Sequence, residues 1–498
     1  MGNAPPSPDR QRLLQSLKTI WGYDQFRYPQ GEVIDCLLAG QDCLVVLPTG
    51  GGKSLCFQLP ALLGDGLTLV VSPLVALMED QVQDLRRKQL PAACLHSQLP
   101  RGEQKQVLDQ VKRQQLRLLY LSPETLLSQR LWDILRQPTL KLQGLMLDEA
   151  HCLVQWGDSF RPAYRRLGAV RTGLGSHRPL PIAAFTATAD PDQQTQIIQG
   201  LELRHPQRFQ VSPLRPHLRL QVKTVLSERC RRHQLLRLLD QYPQQSGLIY
   251  LRTRKTAIAL AQWLTTQGFK TADYHGGLAA NQRRQLERRW LEGDIPFVVC
   301  TNAFGLGINK PDTRWVLHYH PPLVLIDYLQ EIGRAGRDLN PATCLTLISE
   351  PTGWLDAGDR QRRQYFFSQQ QGVERLAQRL APRLPKQGHL LQLKQEFPDV
   401  ELALAWLHRR GSLQWLDPFQ YQLSASSPSP PDLSPLQRQF QAMTHYLHIK
   451  TCRWQYILSV FGDHSEAARR PCGTCDNCLT RPVLGSPKPP EEFWKLLS

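Results

Sequence analysis

The sequence predicts an α/β chain: two tandem parallel-sheet domains, then a winged-helix-like α+β segment and a small helical module carrying clustered cysteines. Three observations predict this. From about residue 20 to 350, short apolar runs of strand length alternate with amphipathic stretches, the pattern of parallel strands joined by crossover helices. The runs fall in two sets, with a break near residues 203–220. Beyond them the texture changes to Gln- and Arg-rich helix, a Pro/Ser stretch and a cysteine cluster. At 498 residues the chain is long enough for three or four domains, and its 41% hydrophobic residues suffice for ordinary cores.

The first set of predicted strands covers residues 42–47, 67–72, 116–121, 142–147 and 182–186; the second covers 247–251, 271–274, 297–301, 315–319 and 343–348. Residues 351–400 read as helical. Residues 389–397, 401–413 and 414–423 read as helix, helix and β-wing, with a plain helical insertion as the alternative. Residues 425–434 (ASSPSPPDLS) form a linker or loop tip, and residues 436–458 form one or two helices. No internal sequence repeat is present.

The net charge of +17 favours an anionic polymer as partner, because each neutralised phosphate releases counterions. Anionic lipid is the competing partner, disfavoured because no segment combines an apolar face with clustered lysines. No apolar run reaches the roughly 18 residues of a membrane span, and the N-terminus has no hydrophobic signal region. Of the 12 cysteines, eight are scattered singly among apolar residues, as reduced core thiols are. A cytoplasmic location without membrane contact is expected.

The segment Pro48-Thr49-Gly50-Gly51-Gly52-Lys53-Ser54 lies between a buried strand and a helix. Its glycines allow the backbone to wrap phosphate oxygens, and the helix N-terminus adds a positive dipole end. Lys53 is expected on the β- and γ-phosphates of ATP, and Ser54 on Mg²⁺. Leu47 stands where the strict pattern has its first glycine. Asp148 and Glu149 follow another buried strand; Asp148 would position Mg²⁺ and Glu149 would orient and deprotonate the attacking water. Arg334 and Arg337 are three apart, so on one helix both would point toward the γ-phosphate; a solvated helix face is the plainer alternative. Trp156, Phe160 and Arg161 follow the acidic pair and are candidates to stack on exposed bases, against two core aromatics near a turn. Cys452, Cys472, Cys475 and Cys478 give C-x19-C-x2-C-x2-C, which suits a structural, tetrahedral Zn²⁺; an iron–sulfur cluster also accepts four cysteines.

Asp148-Glu149-Ala150-His151 with the Gly50–Ser54 loop is similar to superfamily 2 helicases, and the flanks resemble the RecQ family: Trp21-Gly22-Tyr23 with Phe26-Arg27 and Gln30, Ser72-Pro73-Leu74, Phe185-Thr186-Ala187-Thr188, Thr301 through Asn309, and Gln330-Glu331-Ile332-Gly333-Arg334-Ala335-Gly336-Arg337. The resemblance runs from about residue 17 to 338 and resumes near Cys452. It implies that Tyr23 and Arg27 pack on adenine and Gln30 reads its edge. It further implies that Ser72, Thr301 and Asn309 lie close to DNA, and that the aromatic segment senses single-stranded DNA. Gln330 would link ATP to the acidic motif through His151, and arginines of the second domain would complete the ATP site of the first. Asp158 and Val154 depart from the family's usual His and Ser, as Ile332 does from Thr.

The domains are then expected as a first RecA-like motor domain at 1–206, a second at 207–350, a helical and winged-helix-like insertion at 351–430, a zinc-binding module at 431–482 and a tail at 483–498. The family usually places its winged helix after the zinc module; here the pattern stands before it, with Arg409 and Arg410 as candidate phosphate contacts and a tip near residues 417–419 placed to separate strands. The expected activity is ATP-dependent 3′-to-5′ unwinding of forked and duplex DNA by a monomer moving on single strands, in repair or recombination. An ATP-switched annealing protein and an RNA helicase are the alternatives.

Overall fold

The computed structural model describes residues 8–157, 160–175, 180–304, 308, 310–349, 357–424, 435–469 and 471–480. Two compact units divide the chain: residues 1–211 with 361–432, and residues 212–360 with 433–498.

The first unit is built on a seven-stranded parallel sheet of β1 (Cys43–Val46), β2 (Leu67–Val71), β3 (Ala92–Leu95), β4 (Leu118–Leu121), β5 (Leu142–Leu147), β6 (Ile182–Thr186) and β7 (Gln207–Gln210). The order is β3-β4-β2-β5-β6-β1-β7. Leu44, Val46, Leu69, Leu145 and Leu147 pack into one core, while Cys43, Val45, Val70, Met146 and Phe185 pack into another. Both faces are covered, which is why these strands read as unbroken apolar runs.

The second unit has a six-stranded parallel sheet: β8 (Leu218–Thr224), β9 (Gly247–Tyr250), β10 (Thr271–Tyr274), β11 (Phe297–Cys300), β12 (Trp315–His318) and β13 (Ala342–Ile348). The order is β10-β11-β9-β12-β13-β8. Gly247 is required beside Trp315, because a Cβ there would lie 2.0 Å from the indole.

Both edge strands β7 and β8 arise from the stretch expected to be a break. β7 is polar and largely exposed, and β8 is only partly buried, so neither shows an apolar run. Because β7 pairs with β1, the first sheet continues past the expected boundary at residue 206.

The expected winged-helix-like order is present. After the long helix Ala357–Leu380 come β14 (Gln387–His389), helices Leu390–Glu396 and Val400–Arg409, then β15 (Leu413–Trp415) and β16 (Gln420–Leu423). The three strands form an antiparallel sheet in the order β14-β16-β15. The expected Pro/Ser linker at 425–434 lies outside the described residues. The cysteine module, with helices Pro435–His448, Arg453–Val460 and Asp476–Thr480, belongs to the second unit. Among the described residues no helix is long and apolar enough to cross a membrane.

Candidate active site

The nucleotide loop joins β1 to the helix Lys53–Leu63 at the carboxyl end of the first sheet, the edge where open α/β sheets bind ligands. Gly50 (φ +85°) and Gly52 (φ +74°) take left-handed backbone that side chains resist. Gly52 is also crowded: a Cβ would stand 2.3 Å from Gln30 Nε2. Gln30 is buried and its Nε2 donates to the Gly51 carbonyl at 3.2 Å, while its Oε1 accepts from Arg27 N–H at 2.9 Å. Its amide therefore ties the leading motif to the loop. Thr49, Lys53 and Ser54 are half-buried. Beside them opens a cavity of about 300 Å³ lined by Trp21, Tyr23, Arg27, Gln30, Gly52 and Ser54 among others, within the size range of small-molecule sites.

Asp148 and Glu149 leave β5 one strand away from β6. Backbone bonds from Asp148 N–H to Val71 O and from Ala150 N–H to Phe185 O hold the turn. Glu149 has φ +52°, a conformation costing about 1–2 kcal/mol for a side-chain-bearing residue. Burial, and secondarily the neighbouring Glu149, push the Asp148 carboxyl up to about 7, with Lys53 opposing. A bound cation would restore its ionised form. His151 is buried and its pKa is lowered, chiefly by that burial. Its Nδ1 stands 3.4 Å from Glu149 Oε2 and 3.1 Å from Thr186 Oγ1. Thr186 donates its own proton to the Thr188 carbonyl at 3.0 Å, so its oxygen accepts and the His151 proton sits on Nδ1. A continuous polar chain thus joins the candidate base to the Thr186–Thr188 motif.

The aromatic segment divides into an exposed part and a braced part. Phe160 is 71% exposed, with its ring edge-on to half-buried Trp156 at 6.0 Å. Arg161, expected to stack on bases, instead donates from Nε to Glu124 at 2.8 Å, from Nη2 to the other Glu124 oxygen, and from Nη1 to Pro73 O at 2.7 Å. Ser72 is 1% exposed, and its hydroxyl has no hydrogen-bond partner; it lies beneath the surface on which DNA contact was expected. Asp158 and Asn309 lie outside the described residues. Thr301 is buried at the end of β11 and accepts from Ala303 N–H at 3.4 Å.

In the second unit Gln330 lies half-buried on helix Leu325–Ile332, but Arg334 and Arg337 do not share that helix. The helix ends at Ile332, and both arginines follow in a turn that reverses at Gly336 (φ +58°), where a Cβ would lie 2.8 Å from Asn340 O. This corrects the expected helical i, i+3 geometry. Arg337 donates to Gly333 O at 3.3 Å and Ile308 O at 3.0 Å. Burial, then Arg334 and Arg215, lower its pKa to about 9. Arg215, missed in the sequence, donates to Gly333 O at 3.1 Å, and burial lowers its pKa to about 10. Three guanidinium groups gathered with little water favour an anion among them. Beneath them the buried pair His318 Nε2–Glu331 Oε2 closes at 2.9 Å.

Cys452, Cys472, Cys475 and Cys478 bring their sulfurs within 4.8 Å of one another. The Cys472–Cys478 separation is 3.8 Å and the Cys475–Cys478 separation 3.4 Å. Sulfurs at 2.3 Å from a tetrahedral zinc stand about 3.8 Å apart, so the donor set fits Zn²⁺ in a closed, structural site.

One winged-helix expectation is corrected. The tip at residues 417–419 is not a free wedge: Phe419 is 5% exposed and packs edge-on against Trp132 at 5.5 Å in the first motor core. Arg410 lies over the Trp406 ring at 4.9 Å and 3.8 Å from Glu374, so its guanidinium is engaged within the insertion.

Three family models match in chain order: DEAD/DEAH box helicase over residues 27–197, helicase conserved C-terminal domain over 230–338, and RecQ zinc-binding over 422–479. A Synechocystis protein, ATP-dependent DNA helicase RecQ, is 69% identical across 95% of this chain and 99% of its own. The Pasteurella multocida protein of the same name is 34% identical over 95% of this chain, which spans 63% of that longer relative. Among solved structures, the DUF1998 helicase MrfA bound to DNA aligns at TM-score 0.58 and 19% identity, covering 85% of this chain and 64% of that one. S. cerevisiae Dbp5 bound to RNA and ADP BeF3 aligns at 0.54 and 15%, covering 73% and 92%; likeness at these identities speaks to the fold alone. The nucleotide loop, the acidic pair, the four-cysteine module and near-full-length identity to one RecQ protein converge: the chain belongs to the RecQ family of ATP-dependent DNA helicases.

Proposed function

We propose that this chain hydrolyses ATP to move 3′ to 5′ along single-stranded DNA and to open forked and duplex DNA, in the cytoplasm, as a monomer serving repair or recombination. The observation that carries the reading is the polar chain from Glu149 through His151 to Thr186, set beside a glycine loop and a base-sized cavity. Such a chain lets the state of the γ-phosphate reach a motif at the end of the neighbouring strand β6.

In this reading Tyr23 and Arg27 cover the base, and the loop N–H groups with Lys53 hold the phosphates. Ser54 and Asp148 hold Mg²⁺, which supplies charge neutralisation when bound. Glu149 orients the attacking water and takes its proton, while neutral His151 holds that carboxylate in place. Arg334 and Arg337 neutralise charge on the transferred phosphoryl group, and Gln330 reports its presence. Phe160 and Trp156 contact bases. Thr301 and Asn309 approach the DNA backbone. The residual charge of +17 holds the strand.

The test is unwinding of a 3′-tailed against a 5′-tailed duplex, with Lys53→Ala as control. Opening of the 3′-tailed duplex alone is expected, abolished in the variant. Unwinding by Lys53→Ala removes the site assignment, and DNA-stimulated hydrolysis without strand separation removes the helicase reading.

A further inference from the structure

The winged-helix-like insertion presents its second helix and its wing tip to the first motor unit. Arg166 closes the short 3-10 turn Pro162–Arg166, directly after the aromatic segment. Its side chain is 7% exposed; Nη2 donates to Glu401 Oε1 at 2.7 Å, and Nη1 to the Pro418 carbonyl at 3.1 Å. One guanidinium therefore grips both the helix Val400–Arg409 and the wing. Lys394 binds the second Glu401 oxygen at 2.7 Å, which fixes that carboxylate. The fit at the tip is close: a Cβ on Gly173 would meet Pro418 Cδ at 2.7 Å and Trp132 Cζ2 at 2.8 Å. The cores interlock, with Phe419 lodged in the motor core and Ala169 in the core of the insertion.

The same short segment is anchored at its other end by Arg161 on Glu124 and Pro73. The exposed Phe160 thus stands next to a stretch clamped at both ends. Chain connectivity adds a second constraint. The insertion, residues 361–432, is joined in sequence at both ends to segments of the second unit.

We propose that the insertion is an internal brace for the aromatic segment instead of a DNA reader. Arg166 and Glu401 are positioning residues that hold Phe160 and Trp156 where bound single-stranded DNA signals to Glu149. The surfaces a winged helix would offer to duplex DNA, the second helix and the wing tip, are occupied by this contact. The inference rests on the proposed sensing of DNA by the aromatic segment.

The test is ATP hydrolysis by the full chain, titrated with single-stranded oligonucleotide, for the unsubstituted protein, Glu401→Gln and Phe419→Ala. Both variants are expected to keep basal hydrolysis while needing at least about tenfold more DNA for half-maximal stimulation, the scale of losing about one base stack on an aromatic ring. A role in stability alone would lower both rates together through the folded fraction. Unchanged stimulation by both variants, or equal loss of basal and stimulated rates, overturns the brace. Absence of stimulation in the unsubstituted chain overturns the sensing reading and the brace with it. Hydroxyl-radical footprinting of the unsubstituted protein on forked DNA needs no substitution: Phe160 is expected to be protected and residues 417–423 unchanged, and protection of the wing tip overturns the proposal.

Discussion

The winged-helix-like insertion and the cysteine module each attach to one motor unit through a buried arginine, yet they are built in opposite ways. The insertion has its own core, including Leu390, Leu404, Trp406 and Tyr421, and lends one residue, Phe419, to the motor. Among the described residues the cysteine module has no separate core. Its Met443, Tyr446, Trp454, Ile457 and Phe461 merge with Tyr328 and Leu329 of the Gln330-bearing helix in one cluster. The Tyr446 hydroxyl donates to the Tyr328 hydroxyl at 2.6 Å, and Asp476, paired with Arg453, accepts from the β8 backbone at Val222. The insertion is a folded body held in place; the module is a part of the second motor unit that zinc completes. A small element too polar to bury itself relies on metal ligation or on a neighbour's core, and this module uses both.

Removing zinc is the strongest way to test that contrast. Structural zinc contributes on the order of 10 kcal/mol to the folding of small modules. Cys475→Ser, or chelation, is expected to lower the melting of the whole second unit and to abolish unwinding, measured by thermal denaturation alongside zinc release. Melting of the second unit unchanged by chelation would break the claim of a shared core.

Arg453→Met comes next. It removes the guanidinium buried at 3% exposure and leaves Asp476, 23% exposed, without its cation; the expected cost is about 2–3 kcal/mol, read as a shifted denaturant midpoint. The analogous cut on the other side, Phe419→Ala, is also expected to cost about 3 kcal/mol but to act locally. Hydrogen exchange should rise around Trp132 and Gly173 while protection within helix Val400–Arg409 persists. Exchange rising through the entire insertion would show that it is no more independent than the module. The smallest effect belongs to Tyr446→Phe, which removes one buried hydroxyl and leaves that of Tyr328 unpartnered, at about 1–2 kcal/mol; a double-mutant cycle with Tyr328→Phe should recover part of it.

Legibility differed between regions for a physical reason. The nucleotide loop, the acidic pair and the tight run Cys472, Cys475 and Cys478 could be read because their chemistry is short-range: a turn of a few residues brings each set of donors together. The winged-helix-like order was legible from periodicity. Its docking was not, because Arg166 and Glu401 stand 235 residues apart. Arg215, isolated before β8, carries no local sign of its approach to Gly333, and Ser72 resembles an exposed loop residue although it is buried.

The sequence by itself determined which strands are buried on both faces and where the candidate phosphate, magnesium and zinc ligands stand, since these follow from hydrophobic period and covalent spacing, and its motifs resembled the family that the comparisons show. Only the tertiary structure decided what each arginine does. Arg161 and Arg166 look alike on paper, and Arg161 was the one expected at DNA. A guanidinium goes where a carboxylate or carbonyl awaits it, and those acceptors, Glu124, Pro73, Glu401 and Pro418, are supplied by distant chain that folding alone brings near.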